Sequence, residues 1–327
     1  MKAVICQELG PPEALALGEF PITAPGPDEI QVRVAACGVN FPDLLVIEGT
    51  YQERPPLPFV PCGEVAGRVH QVGSQVSTFK PGDPVIAIPH IGGLAEFVNV
   101  PAGQVYPRPE TMPETTAAGF IGVYGTAYHA LKQRAQLQPG ETLLVLGAGG
   151  GVGHAAVQLG AAMGARVIAA ASSDAKLDQL PKQGADTVIN YSKQNLRDAV
   201  KELTGGRGAD VIFDPVGGDL FDQATRCINW NGRLLVIGFA AGRIPQLPIN
   251  LLLLKGASAV GVFYGRFEKE EPAAARQNIA ELCELYARER INPHIHGVYP
   301  LEQYAQALNT LKQRQALGKV IIKVADQ

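Results

Sequence analysis

The glycine-rich segment 147–153 has the residue types and spacing of a phosphate-binding turn. Its sequence, GAGGGVG, follows an apolar run and precedes an alanine-rich stretch, and its register is Ala-x-Gly-x-x-Gly with Ala148 in the first glycine position. Glycines let the backbone approach a pyrophosphate closely, and the N–H groups at the start of a helix stabilise its negative charge. The segment therefore predicts a dinucleotide site formed by Ala148, Gly150, Gly151, Val152 and Gly153.

The end of the next apolar run bears on the choice between NAD and NADP. Enzymes that use NAD usually place Asp or Glu about 20 residues after the glycines, where the carboxylate binds the ribose hydroxyls. Ala171 takes that place here, and Ser172, Ser173 and Lys176 follow it. Because a carboxylate would repel a 2′-phosphate that hydroxyls and an ammonium would bind, we predict NADPH as the cofactor. Two readings stay open: Asp174 lies near the ribose if the strand ends one turn later, and Lys176 is a solvated helix charge.

The elements that must position these residues follow from the alternation of apolar runs with glycine-rich turns and helical segments after residue 124. Such alternation indicates parallel strands joined by crossover helices. The runs are 142–147, 166–171, 187–190, 211–216 and 233–238, with a sixth at 257–263. We therefore expect an α/β fold with a Rossmann-type, doubly wound parallel sheet.

The first 123 residues have a different pattern. Short β-type runs at 30–35, 67–72, 84–88 and 95–100 lie between turns rich in Pro and Gly, which predicts an antiparallel, partly barrel-like β domain. Residues 264–327 contain two helical stretches, at 273–290 and 301–313, and a final strand at 319–324. The pattern alone does not assign this last segment to either domain.

Composition limits the class of protein. A chain of 327 residues suits about two domains, and 46% hydrophobic with 18% charged residues is typical of a globular protein. The net charge of -3 does not favour nucleic acid, and no apolar run reaches the roughly 20 residues that cross a bilayer. The N-terminal residues lack the pattern of a signal peptide, so we expect a cytoplasmic protein without a membrane partner.

Metal chemistry is not favoured by the residues that would supply ligands. The five cysteines are odd in number and scattered, and none forms a Cys-x-x-Cys pair. Residues 36–44, ACGVNFPDL, resemble the segment in which zinc-dependent alcohol dehydrogenases have a metal-binding Cys, and that place is Asn40. Residues 61–67, PCGEVAG, resemble their Gly-His-Glu segment, with Gly63 in place of the ligand His and Glu64 kept. We therefore predict no zinc site.

The wider resemblance is to the zinc-independent quinone oxidoreductases of the medium-chain dehydrogenase/reductase superfamily. It runs over nearly the whole chain and is carried by segments 38–43, 49–51, 124–131, 214–218 and 316–320. It implies a GroES-like catalytic domain at 1–123 and 264–327, and a Rossmann NADP-binding domain at 124–263. It also implies a homodimer joined through the edge strand near 257–263.

The resemblance further implies the roles of individual residues. Asn40 and Thr126 are expected near the nicotinamide, Lys176 and Tyr191 at the adenosine phosphate, and Lys319 at the cofactor ribose or phosphate. The nicotinamide side is expected to include Gly238, Phe239, Ala240 and Phe263, and Tyr51 is expected at the substrate mouth. Without the resemblance, Asn40 is interpreted as the cap of a turn, Asp43 as the cap of the helix that follows it, and Tyr51 as a packed loop aromatic.

These expectations define a reaction in which the cofactor carries the chemistry. NADPH would transfer a hydride to an electron-poor acceptor, a quinone or another enone, while Asn40, Tyr51 and Arg266 position the substrate and stabilise the negative charge that develops. One alternative is a reductase of enoyl thioesters or alkenals. Another is a catalytically silent NADPH-binding protein that has a structural role or contacts RNA, against which the absence of a Lys/Arg stripe counts.

Overall fold

Short strands between turns build a β-rich first unit. The computed structural model describes residues 1–325, and its first unit comprises residues 1–122 with the chain from Pro293 onward. The N-terminal strands are β1 Lys2–Ile5, β2 Ala16–Glu19, β3 Glu29–Val39, β4 Val65–Val72, β5 Pro84–Ala87, β6 Phe97–Pro101 and β7 Val105–Pro107. Two short helices belong here, α1 Phe41–Ile47 and α2 Glu114–Ala117.

Strand β3 organises this unit. It pairs antiparallel with both β4 and β6, and Ile30, Val32 and Val34 on it are completely buried. Helix α1 begins directly after β3, so the residue between them, Asn40, is fixed at the end of the longest strand of the sheet. The predicted antiparallel β domain is confirmed.

The second unit, residues 123–292, is a six-stranded parallel sheet covered by helices. Its strands are β8 Thr142–Leu146, β9 Arg166–Ala171, β10 Thr187–Asn190, β11 Ala209–Asp214, β12 Ile228–Val236 and β13 Ser258–Gly261. Its helices are α3 Thr126–His129, α4 Gly151–Ala162, α5 Asp174–Leu177, α6 Leu196–Leu203, α7 Gly218–Ala224, α8 Ile249–Lys255, α9 Tyr264–Glu270 and α10 Pro272–Ala287, and π-helical turns at Ile121–Gly125 and Ala130–Arg134 flank α3.

The strand order β10-β9-β8-β11-β12-β13 confirms the doubly wound sheet that the sequence predicts. The order reverses between β8 and β11, and ligands of such sheets bind at the carboxyl ends of the strands where this reversal occurs. The glycine segment follows β8 and therefore lies at that point.

The boundary of the second unit differs from the expected one. Residues 264–292, which the resemblance assigned to the first domain, pack within the second unit. Helix α10 is held there by an ion pair between Lys132 and Glu281 and by a 2.9 Å hydrogen bond from Gln133 to Asn278. These partners are far apart in sequence, so the helical pattern did not reveal them.

The C-terminal segment returns to the first unit through β14 Ile295–Pro300, α11 Tyr304–Lys312 and β15 Lys319–Lys323. Strand β15 pairs antiparallel with β3, and Val320 lies opposite Val39. Residues 326 and 327 of the predicted first domain lie outside the described residues. Within residues 1–325, no helix has the length and apolar character needed to cross a membrane.

Candidate active site

The glycine turn after β8 is formed by close backbone contacts. Gly147 has φ of 59°, in the left-handed region that glycine favours. A Cβ on Gly153 would lie 2.3 Å from the Gly147 carbonyl oxygen, so only glycine fits at position 153. Ala148 is buried, and its N–H donates to the Ala170 carbonyl at 3.0 Å. These contacts hold the turn against the sheet.

The start of α4 has the space and the donors that a pyrophosphate requires. The helix runs for 12 residues from Gly151, and Gly150 precedes it without a side chain. A Cβ on Gly150 would meet only the Gly147 carbonyl oxygen, at 3.4 Å. The N–H groups of Gly151, Val152 and Gly153 begin the helix, where backbone donors have no carbonyl one turn earlier. The residues present therefore fit a pyrophosphate group.

The carboxyl ends of β9 and β10 gather the residues predicted for the adenosine phosphate. Ser172 follows β9 and is exposed, Ser173 precedes α5, and the Tyr191 N–H donates to the Ala171 carbonyl at 3.2 Å. The stem of Lys176 lies across the glycine turn, because a Cβ on Gly149 would be 2.8 Å from Lys176 Cδ. The stem of Lys176 is thus close to the glycine turn, and Ser172 and Ser173 follow the strand that pairs with β8.

Asp174, the carboxylate that complicated the prediction of NADP, is bound by two partners that the sequence analysis missed. Its Oδ1 accepts a hydrogen bond from Asn190 Nδ2 at 2.6 Å, and its Oδ2 forms an ion pair with Lys193. The bond from Lys193 is the main reason that the pKa of Asp174 is lowered. Lys193 stands two residues after Tyr191, and this position is the signal that sequence reasoning could have used.

The remaining residues predicted in the second unit follow β11 and β12 or begin helices. The Asp214 carboxylate accepts hydrogen bonds from the N–H groups of Val216 and Gly217, which turns the chain after β11. Gly238, Phe239 and Ala240 follow β12, and Ala240 N–H donates to the Pro215 carbonyl at 3.2 Å. Thr126 begins α3, and Phe263, which is largely exposed, precedes α9.

Arg266 lies on the surface of α9 with most of its side chain exposed. Its guanidinium forms an ion pair with Glu270 one helical turn later, at 2.7 Å. This ion pair accounts for the position of the Arg266 side chain on the helix surface. The predicted role of Arg266 in substrate positioning stays a prediction.

The first unit holds a buried polar cluster around Asn40, which we call the Asn40 cluster and define as Asn40, Asp43, Glu64 and Lys319. Asn40 Oδ1 accepts a hydrogen bond from Lys319 Nζ at 2.7 Å, and Asn40 Nδ2 donates to Glu64 Oε2 at 2.9 Å. Lys319 and Glu64 are themselves paired at 3.2 Å, with only 4% and 2% of their side chains exposed. The amide thus lies between two opposite charges that water hardly reaches.

Glycines make room for this cluster. A Cβ on Gly38 would lie 1.9 Å from the Ala118 carbonyl oxygen, and a Cβ on Gly122 would lie 2.9 Å from Glu64 Oε2. The Gly122 N–H donates to Glu64 Oε1 at 2.8 Å. The backbone therefore approaches the Glu64 carboxylate more closely than any other residue type would allow.

Lys319 is expected at the cofactor ribose or phosphate, and that role stays a prediction. Its ammonium has three N–H donors, and the structure gives it three acceptors: the Val39 carbonyl at 3.1 Å, Asn40 Oδ1 and Glu64 Oε2. A buried ammonium with every donor used favours a role inside the Asn40 cluster. Sequence reasoning did not include Glu64 in the site, although its place beside Gly63 was a usable signal.

Asp43 is the most strongly perturbed acid of the cluster. Burial raises its pKa to about 7, although Asn40 N–H donates to its Oδ2 at 2.7 Å and Lys319 opposes the shift. Asp43 lies at the third position of α1, and this bond joins its side chain to Asn40, the residue before the helix, as in a capping box. The neighbouring thiol of Cys62 has a raised pKa, first because of its hydrogen bond with Cys37 and then because of burial.

Tyr51 follows α1, and its backbone N–H donates to the Leu45 carbonyl at 3.2 Å. Burial is the main reason that the pKa of its hydroxyl is raised, and the nearby carboxylates of Glu53 and Asp43 add to the shift. The hydroxyl therefore stays protonated at neutral pH and is a hydrogen-bond donor.

The place of the ligand His in zinc enzymes is closed by the backbone here. A Cβ on Gly63 would lie 2.3 Å from the His90 carbonyl oxygen, so a histidine side chain does not fit at this position. In the part of the chain that the structure describes, no three His, Cys, Asp or Glu side chains are grouped so that they could hold a metal ion.

Comparisons with known proteins agree over the whole chain. The model of the alcohol dehydrogenase GroES-like domain matches residues 26–110, and that of the zinc-binding dehydrogenase family matches residues 151–281. The chain is 41% identical over 324 residues to the quinone oxidoreductase-like protein 2 homolog of Nematostella vectensis, covering 98% of this chain and 88% of that protein.

Solved structures give the same result. The quinone oxidoreductase of Escherichia coli complexed with NADPH is 28% identical with a TM-score of 0.92, covering 99% of this chain and all of that one. The CurK enoyl reductase is 26% identical with a TM-score of 0.89, covering 98% of each chain. Sequence and fold together confirm the resemblance: the chain belongs to the quinone oxidoreductase family of the medium-chain dehydrogenase/reductase superfamily and is an oxidoreductase.

Proposed function

We propose that this protein transfers hydride from NADPH to quinones or other electron-poor enones. The observation that carries the proposal is the Asn40 cluster: a polar amide stands beside a buried ammonium where zinc enzymes have metal ligands. The names of the relatives support a quinone acceptor, and the NADPH complex of the Escherichia coli enzyme supports the cofactor.

NADPH is the cofactor, and the second unit has the residues to hold it. The start of α4 would bind the pyrophosphate, and the ends of β9 and β10 would bind the adenosine phosphate through Ser172, Ser173, Lys176 and Tyr191. When bound, NADPH supplies the hydride. Because Lys193 compensates the charge of Asp174, the phosphate of the adenosine ribose meets no unpaired carboxylate there.

The protein's own contribution to the reaction is electrostatic. Reduction of a quinone or an enone places negative charge on the carbonyl oxygen, and hydrogen-bond donors fixed before the reaction stabilise that charge. We assign this role to the free N–H of the Asn40 amide and to the protonated hydroxyl of Tyr51. Neither group needs to titrate at neutral pH.

An acceptor screen tests the proposal. NADPH and NADH oxidation would be followed with quinones, simple enones and enoyl thioesters, using wild type and Asn40→Leu. We expect NADPH to be preferred and quinones or enones to be reduced, with a loss of about 100-fold in kcat in the variant. Preference for NADH, or no turnover of either acceptor class, would contradict the proposal.

A second candidate is the reduction of enoyl thioesters, which the likeness to the CurK enoyl reductase favours. The same hydride delivery to a β-carbon serves these acceptors. In the screen, a higher kcat/KM for enoyl thioesters than for any quinone or simple enone would select this candidate.

We further propose a homodimer joined through β13. This strand is at the edge of the six-stranded sheet, and exposed apolar side chains precede and follow it in the chain: Ile244, Ile249, Leu253, Leu254 and Phe263. Edge backbone together with exposed apolar side chains is typical of an interface between subunits. We expect light scattering to give a dimer for wild type and a monomer for Leu253→Lys/Leu254→Lys. A monomeric wild type would refute the dimer.

A further inference from the structure

The orientation of the Asn40 amide is forced by the charges on either side of it. An ammonium only donates hydrogen bonds, so the amide atom that faces Lys319 must be the oxygen. An ionised carboxylate only accepts, so the atom that faces Glu64 must be the nitrogen. A flipped amide would place its NH₂ group against the Lys319 ammonium and its oxygen against the Glu64 carboxylate. The ion pair therefore selects one of the two orientations.

In this arrangement one hydrogen-bond donor of the Asn40 amide is unused. The Asn40 Nδ2 group has two hydrogens, and Glu64 Oε2 takes one of them. Within residues 1–325 the other hydrogen has no protein acceptor. By contrast, the three donors of Lys319 are all used. Only the amide, and not the ammonium, can thus offer a hydrogen bond to a bound molecule.

We propose that Lys319 and Glu64 are positioning residues that lock the Asn40 amide with its free N–H available to the oxygen of the acceptor. This inference rests on the proposed function. A positive charge on the amide oxygen also draws electron density from the amide nitrogen, which strengthens the remaining N–H as a donor. If the amide were flipped, its oxygen would repel the negative charge that develops on the acceptor.

Replacement of the lysine tests this role. In Lys319→Met the amide loses the charge on its oxygen, and we expect kcat to fall by about 10- to 100-fold. The Kd for NADPH should stay within about twofold of wild type, because the ammonium has no donor left for the cofactor. Lys323→Met, on the exposed end of the same strand, is the matched control and should leave both constants unchanged.

A double variant separates positioning from folding. Lys319→Met alone leaves the Glu64 carboxylate buried without its cation, which lowers stability for reasons unrelated to the amide. Glu64→Gln/Lys319→Met removes both charges, so the unfolding temperature should recover relative to the single variant. We expect kcat to stay at least about tenfold below wild type in the double variant, since no charges then select the orientation of the Asn40 amide.

The Asn40 amide itself gives a readout that needs no acceptor. Its side-chain NH₂ signals would be identified in ¹⁵N spectra by their loss in Asn40→Leu, and their hydrogen exchange measured. We expect exchange to be at least about tenfold faster in the double variant than in wild type, because the buried pair no longer holds the amide.

The outcomes distinguish the two proposals. If wild type reduces no quinone or enone while the exchange rates differ as expected, the proposed function fails and the positioning stands. Unchanged exchange and unchanged kcat in the double variant would overturn the positioning. A large rise in the Kd for NADPH with unchanged kcat in Lys319→Met would instead make Lys319 a cofactor ligand, and would also overturn it.

Discussion

Two ion pairs in this protein have the same chemistry and opposite environments. The Lys319–Glu64 pair of the first unit is almost completely buried, whereas the side chains of the Lys193–Asp174 pair of the second unit are 67% and 57% exposed. Water and salt screen the exposed pair, so it contributes little to stability and acts on the charge that a ligand meets. The buried pair is unscreened and fixes the geometry of its neighbours. The comparison teaches that burial, more than the pairing itself, decides what an ion pair does.

The largest effect that the comparison predicts is on stability in the first unit. Glu64→Gln leaves the Lys319 ammonium buried without a counter-charge, and we expect the free energy of unfolding to fall by about 3–5 kcal/mol. Urea unfolding measures this change. Asp174→Asn is the matched exposed change and should leave the urea midpoint almost unmoved. Equal losses of unfolding free energy in the two variants would show that burial does not distinguish the two ion pairs.

A smaller effect is expected from the pH dependence of Asp43. Its pKa in the folded protein is about 7, raised by burial, and the groups that face it are Lys319, Glu64, Cys62 and the Asn40 N–H. A folded state with a raised pKa holds a proton that the unfolded chain releases at lower pH, so stability falls as pH rises towards about 7.

Asp43→Asn removes this dependence. Measured by urea unfolding, the variant should gain stability relative to wild type between pH 5 and pH 8, and the difference between the two proteins isolates Asp43 from other titrating groups. A difference that stays constant with pH would show that Asp43 is not held protonated by the fold.

The smallest effect is expected at the exposed pair. Lys193→Gln leaves the Asp174 charge uncompensated beside the adenosine phosphate, so the Kd for NADPH should rise by about two- to fivefold. The Kd for NADH should change less, because NADH has no 2′-phosphate. Fluorescence titration at low and high salt measures both, and the effect should shrink as salt is added. Lys182→Gln, on another exposed segment of the same unit, is the control. An equal effect on the two cofactors would contradict this account.

Patterns within short segments predicted much of the second unit. The strands at 166–171 and 187–190 have the predicted bounds. For β9 the reason is that residues 167–171 are a continuous run of buried apolar residues, as is typical of a parallel strand covered on both faces. The strand predicted at 211–216 ends earlier, at Asp214, because the carboxylate of that residue binds the next two N–H groups and turns the chain. The predicted sixth strand is real but shorter, Ser258–Gly261.

The sequence was less informative where distant residues meet. It identified Asn40 from its place in a recognised segment, but not the cation beside it, since Lys319 is 279 positions away along the chain. The resemblance, not the pattern, assigned α10 to the first domain, and the contacts of that helix with Lys132 and Gln133 in the second unit are not visible in a helical pattern.

The amino-acid sequence by itself determined the strand-turn-helix that fits a pyrophosphate, the apolar strands of the parallel sheet and the absence of an acid at Ala171. These depend on residue types close together in the chain, where backbone conformation is set by local sterics. Only the tertiary structure decided that Glu64 and Lys319 enclose Asn40 and that Lys193 compensates Asp174. The strength of a charge depends on burial and on partners that folding brings together, and no local pattern contains either.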